Sequence, residues 1–396
     1  MIEGLEKRVI IVGGGPVGLY CAYLIKRFNQ RVCVTLIEQK KDVGTNYCCA
    51  GHISIYGYRK LMVSSVLDLE KFLVNKIRGA YIFGPNQAKL EIKTEKFQTF
   101  LIDRSNFENE LYLLAQNVGV EIKLNHKVSS ITDDEIVVDD KENNKYLTIK
   151  YDFLIGADGP NSIVRDSFEN KFDTSDFVVT YQVTAEGDFK KDMVSVYFGD
   201  FSKSFFGWII PISRTQAEIG VGTNITQNPK LAFDQFLTKY NLDIKNIEFN
   251  CSGIIPISNL KNKTFVEKNK LLIGDAGCFV KATTGGGIIF GMFSAEAAAK
   301  AITLRYKSFK KIDSYNKLLS KYLSNLNLHY KIHQFMTKKT QYELDQMLLK
   351  LKEADVEIFL EKYANIDFIT GVIPKAIVHP KFYVFYKEIL DFIKQK

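Results

Sequence analysis

The sequence predicts an α/β chain, α+β overall, in which a wound nucleotide-type domain is interrupted by a β-rich domain and followed by helices. Three observations carry this. Within residues 8–37 an apolar strand, a glycine turn, a helix and a second apolar strand follow one another. A middle stretch alternates apolar and polar residues and is crowded with aromatics. Beyond Tyr306, apolar residues recur every three or four positions.

Taken in order, Arg8 to Val12 reads as a buried strand, Pro16 to Phe28 as a helix and Val32 to Ile37 as the next strand. Phe107 to Asn117 reads as a helix with Phe107, Leu111, Leu114 and Ala115 on one face, and Val120 to Leu124 as another strand. From Asp173 to Thr223 the pattern is that of a separate sheet. Leu271 to Ala301 returns to strand, glycine turn and a helix of small residues, so the nucleotide domain is discontinuous. Ile312, Tyr315, Leu319, Tyr322, Leu323, Leu326 and Tyr330 share one helical face. The expected domains are 1–75, 97–165 and 265–305 for nucleotide binding, 76–96 and 166–264 for the β-rich domain, and 306–396 for a C-terminal helical region.

Composition excludes several classes. Apolar stretches in the 396 residues are broken by charge before they reach bilayer-spanning length. The amino terminus lacks a signal-like apolar region, which predicts an intracellular protein whose six cysteines are reduced. Those cysteines make no metal-ligand spacing, so no metal is expected. Nothing resembles a hydrolase nucleophile elbow. Net charge is +8, and from Lys300 to Lys339 ten basic residues stand against one acid, Asp313. Such a stretch suits an anionic membrane surface or an acidic protein, whereas nucleic acid has no supporting motif.

Gly13-Gly14-Gly15-Pro16-Val17-Gly18 places GxGxxG between strand and helix, where backbone N–H groups meet a pyrophosphate. Glu38, twenty residues after Gly18, ends the second strand, where a carboxylate accepts hydrogen bonds from a ribose diol. This is a Rossmann-like fingerprint shared by NAD and FAD. A second cluster, Gly274-Asp275 followed by Thr284-Gly285-Gly286-Gly287-Ile288, offers further backbone donors and a carboxylate, which points to a flavin. Asp158-Gly159 forms a similar strand-to-turn junction.

Together with Arg104 in LIDRSNFENEL, these motifs resemble the FAD flavoproteins related to para-hydroxybenzoate hydroxylase, and among them the geranylgeranyl reductases of archaeal lipid synthesis. Cys49-Ala50-Gly51-His52-Ile53-Ser54 is similar to that subgroup's cysteine motif. Phe206-Gly207-Trp208-Ile209-Ile210-Pro211, then Gly220-Val221-Gly222, is similar to its YxWxFP and GxG lipid-site motif. Phe206 and Ile210 replace a Tyr and a Phe there, and Lys281 and Ala282 replace an acidic or polar residue and a Pro. The WxIP in this segment is also similar to flavin-dependent halogenases.

The resemblance implies FAD held by Gly13, Gly15, Pro16, Val17, Gly18, Glu38, Gln39, Cys49, Ala50, Arg104, Val128, Asp158, Gly159, Gly274, Asp275, Gly286, Gly287 and Ile288. It implies a lipid cavity lined by Phe206, Trp208, Ile210, Pro211, Gly220 and Gly222, within the β-rich substrate domain. Cys49 is the expected catalytic side chain, as a proton relay or redox-sensitive contact, and His52, able to titrate near neutrality, is second to it. The implied activity is reduction of geranylgeranyl C=C bonds by hydride from FAD. An external electron donor, ferredoxin or NADPH-linked, would serve an enzyme that is cytoplasmic or peripheral on the inner membrane face through residues 300–339. The alternative is a flavin monooxygenase or halogenase of a smaller substrate, the halogenase requiring a catalytic lysine at the cavity.

Overall fold

Alternating sterics and burial set the first layer. Arg8–Val12 buries every residue but Arg8 and pairs in parallel with Cys33–Ile37 on one side and Phe153–Gly156 on the other. Pro16 opens the intervening helix, Pro16–Phe28, with its φ already helical, and residues 18–25 are buried. The computed structural model describes residues 7–45, 48–86, 88–169, 171–305 and 314–385, without the side chains of 304–305 and 383–385.

The completed sheet has six strands in the order Val266–Glu267, Lys270–Leu272, Phe153–Gly156, Arg8–Val12, Cys33–Ile37, Glu121–Lys123. Its strands come from distant parts of the chain, and helices Arg104–Asn117 and Ile288–Arg305 pack beside Pro16–Phe28. The core joins Val9, Leu19, Phe107, Leu154, Leu271 and Ala298. A three-stranded meander spans His126 to Lys150, and a second small sheet orders His52–Ser54, Thr99–Ile102, Leu73–Ile77.

The β-rich domain is a seven-stranded sheet in the order Lys245–Ile255, Val178–Glu186, Gln216–Asn224, Gly207–Pro211, Met193–Tyr197, Gly79–Phe83, Lys89–Lys93. Period-two alternation divides its faces. Val183, Ile209, Ala217, Ile219 and Val221 pack under helix Pro229–Lys239 through Phe233 and Phe236. Trp208, Glu218, Gly220 and Gly222 take the opposite face.

The C-terminal helices Ser314–Thr337, Gln341–Glu353 and Val356–Tyr363 brace both domains rather than standing apart. Tyr322 stacks on Phe293 of the nucleotide domain at 4.5 Å, Tyr330 donates to Asp176 at 2.5 Å, and Leu348 and Phe359 bury Leu90 of the sheet. Of the predicted helical face, Tyr315, Leu319 and Leu326 are buried. Ile312 lies outside the described residues, as do Lys307, Lys310, Lys311 and Asp313 of the basic stretch. Among the described residues no helix is long and apolar enough to cross a membrane, and no cluster of His, Cys, Asp and Glu suits a metal.

One expectation is overturned. The cysteines are not all reduced, because Cys48 is disulfide-bonded to Cys251, 203 residues later, with Cα atoms 5.5 Å apart. The bond ties the loop before His52–Ser54 to the edge strand of the seven-stranded sheet.

Candidate active site

The first glycine turn is shaped by close approaches. Gly13 has φ +109°, and a Cβ there would come within 2.2 Å of the Ala157 carbonyl oxygen; one on Gly18 would come within 2.0 Å of the Gly13 oxygen. At Gly15 a Cβ would meet nothing within 4 Å, so this glycine borders open space. Gly15 also caps the helix without a side-chain hydrogen bond, leaving the first-turn amides of Val17 and Gly18 free of helical partners, since the ladder begins with Leu19 N–H donating to the Gly15 carbonyl. Glu38 is fixed by backbone donors, accepting from Gly14 N–H at 2.5 Å and Lys40 N–H at 2.8 Å. Gly159, at φ +80°, likewise borders open space. This open cradle, walled by glycine and edged by one carboxylate, fits a dinucleotide.

Other predicted contacts take different positions. Gln39 is exposed. Val128 is buried in the main core. Asp158 accepts from Ser162 Oγ and Val164 N–H, so its carboxylate braces its own turn.

The second glycine cluster adjoins the first. A Cβ on Gly274 would approach Val17 at 3.2 Å, and one on Gly287 would come within 2.7 Å of Asp275 Oδ1. Burial pushes the Asp275 carboxyl up to about 6, against the opposing pull of Arg104. Ile288 begins the helix that follows. Behind Gly286 lies Lys281, whose ammonium donates to Asp367 Oδ1 at 2.7 Å with both side chains buried. Ala282 is buried among Phe205, Val178 and Ile257.

Cys49 and Ala50 are half-buried on the loop that precedes His52–Ser54. Gly51, at φ +65°, lets this loop press on the Ile102 carbonyl oxygen, where a Cβ would come within 2.4 Å. Arg104 contacts both Cys49 and Glu108; burial alone would lower its proton affinity, but these partners raise it and hold the guanidinium charged. His52 departs from expectation. Burial and the nearby Lys281 charge lower its pKa to about 4, and its Nε2 is hydrogen-bonded with Thr99 Oγ1, so the ring is neutral at pH 7.

Across the interface, the strand pair Gly207–Pro211 and Gln216–Asn224 explains its own motif. Trp208 lies opposite Gly220, and a Cβ on that glycine would come within 2.4 Å of the indole; a Cβ on Gly222 would come within 2.6 Å of Phe205. The two glycines are seats for two rings. Phe206 stacks on Phe205 at 4.0 Å and meets Trp208 edge-on at 6.1 Å, while Ile210 is half-buried and Pro211 buried. Trp208 Nε1 donates to Gln182 Oε1 at 3.2 Å, and Gln182 Nε2 donates to Glu218 at 2.5 Å. Beside these rings a cavity of about 490 Å³ is lined by Phe198, Phe205, Phe206, Ala282, Met336 and Leu344, among others. Gln182, Glu218 and Asp367 were not singled out from sequence. Only the alternation that places Glu218 on the face of Gly220 hints at one of them.

A sequence model described as FAD binding domain matches residues 6–322. The chain belongs to that family. This FAD-dependent oxidoreductase uses FAD. Digeranylgeranylglycerophospholipid reductase of Methanococcus vannielii is 25% identical over 401 residues, covering 96% of this chain and 98% of that one. A geranylgeranyl bacteriochlorophyll reductase-like protein from Thermoplasma acidophilum superposes with a TM-score of 0.80 at 18% identity, covering 98% of this flavoprotein and 100% of that chain. The flavin-dependent halogenase CmlS shares the fold at a TM-score of 0.68 and 16% identity, covering 88% and 70%.

Proposed function

We propose that this flavoprotein saturates C=C bonds in the geranylgeranyl chains of archaeal membrane-lipid precursors. The observation that carries the reading is the wall of Phe205, Phe206 and Trp208, seated on Gly220 and Gly222, with Phe205 close to Gly285 of the second glycine cluster, where a Cβ would come within 3.4 Å of the ring. Large rigid rings offer apolar contact to a long hydrocarbon at small entropic cost. The similarity to digeranylgeranylglycerophospholipid reductases along nearly the whole chain supports the same substrate class.

When bound, FAD supplies the hydride. The chain's own residues do the remainder. Gly15, Val17 and Gly18 would present backbone to the pyrophosphate while Gly13, whose N–H donates to the Ile37 carbonyl, shapes the turn; Glu38 would hold the ribose, and Asp275 with Gly286, Gly287 and Ile288 would border the flavin end. Phe206, Trp208 and Ile210 position the polyprenyl chain and exclude water, which matters because an isolated alkene has no heteroatom to grip; Pro211, in step with Ile209, falls on the helix-covered face of the strand instead. Cys49, beside the Arg104 guanidinium, is a proton relay or redox-sensitive contact. Electrons arrive from an external donor, ferredoxin or NADPH-linked, and the basic stretch 300–339 docks the enzyme on the inner face of the cytoplasmic membrane. The lysine beside the glycine loop, Lys281, is committed to Asp367, which disfavours the halogenase alternative.

Anaerobic incubation of the reduced protein with geranylgeranyl lipid, followed by mass spectrometry, tests the proposal. Two hydrogens gained per double bond are expected. Unchanged lipid, with oxygenated or halogenated products in air, overturns it.

A further inference from the structure

Saturating a double bond takes two different hydrogens. The reading above, on which this inference rests, supplies a hydride to one carbon; the other carbon needs a proton, and an apolar wall has none to give.

Glu218 stands on the face of the seven-stranded sheet that carries Trp208 and Gly220, flanked in register by Thr184 on one strand and Ile210 on the other. Its Oε2 accepts from Gln182 Nε2, and the carbonyl end of the same amide accepts from the Trp208 indole, so the carboxyl is fixed to the aromatic wall by a two-link chain. With Oε2 engaged as an acceptor, a proton on the carboxyl resides on Oε1. From the nucleotide domain, Arg104 faces it at the head of helix Arg104–Asn117, with Cys49 and Glu108 on that guanidinium and Asp275 also within its field. Gln182 and Trp208, the side chains linked to it on its own sheet, carry no charge. Glu218 is therefore tied to the aromatic wall on one side and lies within the field of the guanidinium that holds Cys49.

We propose that Glu218 donates the proton to the reacting double bond. The Oε1–H bond breaks and its electron pair remains on the carboxylate. The proton forms the new bond at one alkene carbon while the hydride from reduced FAD forms the bond at the other, so the alkene gains two electrons and FAD loses them. A proton from water restores the carboxyl. Burial pushes Glu218 up to about 7, against the opposing Gln182 hydrogen bond and Arg104, which keeps the proton on the group near neutrality and lets it leave.

The test uses Glu218→Gln and Glu218→Asp in the full chain. FAD binding and anaerobic flavin reduction are expected to match wild type. Lipid saturation falls by roughly 100- to 10,000-fold in Glu218→Gln, the usual contribution of a positioned proton donor, and is partly recovered in Glu218→Asp. Independently of turnover, the infrared difference between wild type and Glu218→Gln, recorded without flavin, shows a protonated-carboxyl band that disappears as pH rises through about 7. An ionised Glu218 at pH 6, or a Glu218→Gln rate within tenfold of wild type, overturns the proposal alone. Wild-type protein that leaves the lipid untouched overturns the reductase reading and this proposal with it.

Discussion

A carboxyl group buried beside an aromatic wall costs stability once it ionises. Glu218 has its proton affinity raised from an ordinary 4.5 to about 7 by desolvation. The folded state therefore holds a proton that the unfolded chain has released, and the stability this contributes is complete below about pH 4.5 and lost as pH rises through 7. Glu218→Gln removes that dependence while keeping an acceptor for Gln182. Urea unfolding is expected to show the variant more stable than wild type by about 1–3 kcal/mol at pH 8, and near parity at pH 5. His52, His329 and His333 work in the opposite sense. Burial lowers each to about 4, so their neutral rings favour the fold above pH 6.5 and that contribution disappears as pH falls toward 4. None of this was legible residue by residue. His52 read as a group titrating near neutrality because its depressed value comes first from burial, and then from the charge of Lys281, 229 positions away in the chain.

At the level of elements, the strand and helix order from Arg8 to Ile37 was readable because glycine turns, Pro16 and Glu38 act within one βαβ unit. The lipid-site motif was visible as spacing, but its reason was not. Only the register that sets Trp208 opposite Gly220 shows that the glycine exists to admit the ring. Gly220→Ala is expected to displace Trp208, destabilising the fold by about 1–3 kcal/mol as overpacking does. Since Trp208 is the single tryptophan, its fluorescence reports the shift directly. An unaltered emission spectrum in a folded Gly220→Ala variant would show that the indole does not rest on that glycine.

For the whole molecule, what escaped the sequence were links between distant segments: Cys48 with Cys251, Lys281 with Asp367, Tyr330 with Asp176. Together they join the nucleotide domain, the sheet domain and the C-terminal region in pairs, and such pairings depend on topology rather than on local pattern. The disulfide constrains a very long loop, so Cys251→Ser is expected to lower stability by about 2–4 kcal/mol and to free the Cys49 loop for proteolysis under non-reducing conditions. The basic stretch gives a second whole-molecule test. Lys317, Lys321 and Lys338 are exposed on helix Ser314–Thr337 and just beyond it, and replacing them with Glu should reduce sedimentation with anionic liposomes.

The most direct measurement of the central claim is the anaerobic oxidative half-reaction. The protein with its FAD reduced is mixed with geranylgeranyl lipid in the strict absence of oxygen, and flavin absorbance is followed. The account predicts that oxidised-flavin absorbance returns in proportion to the double bonds saturated. Absorbance that stays bleached with lipid and returns only when oxygen is admitted would contradict it.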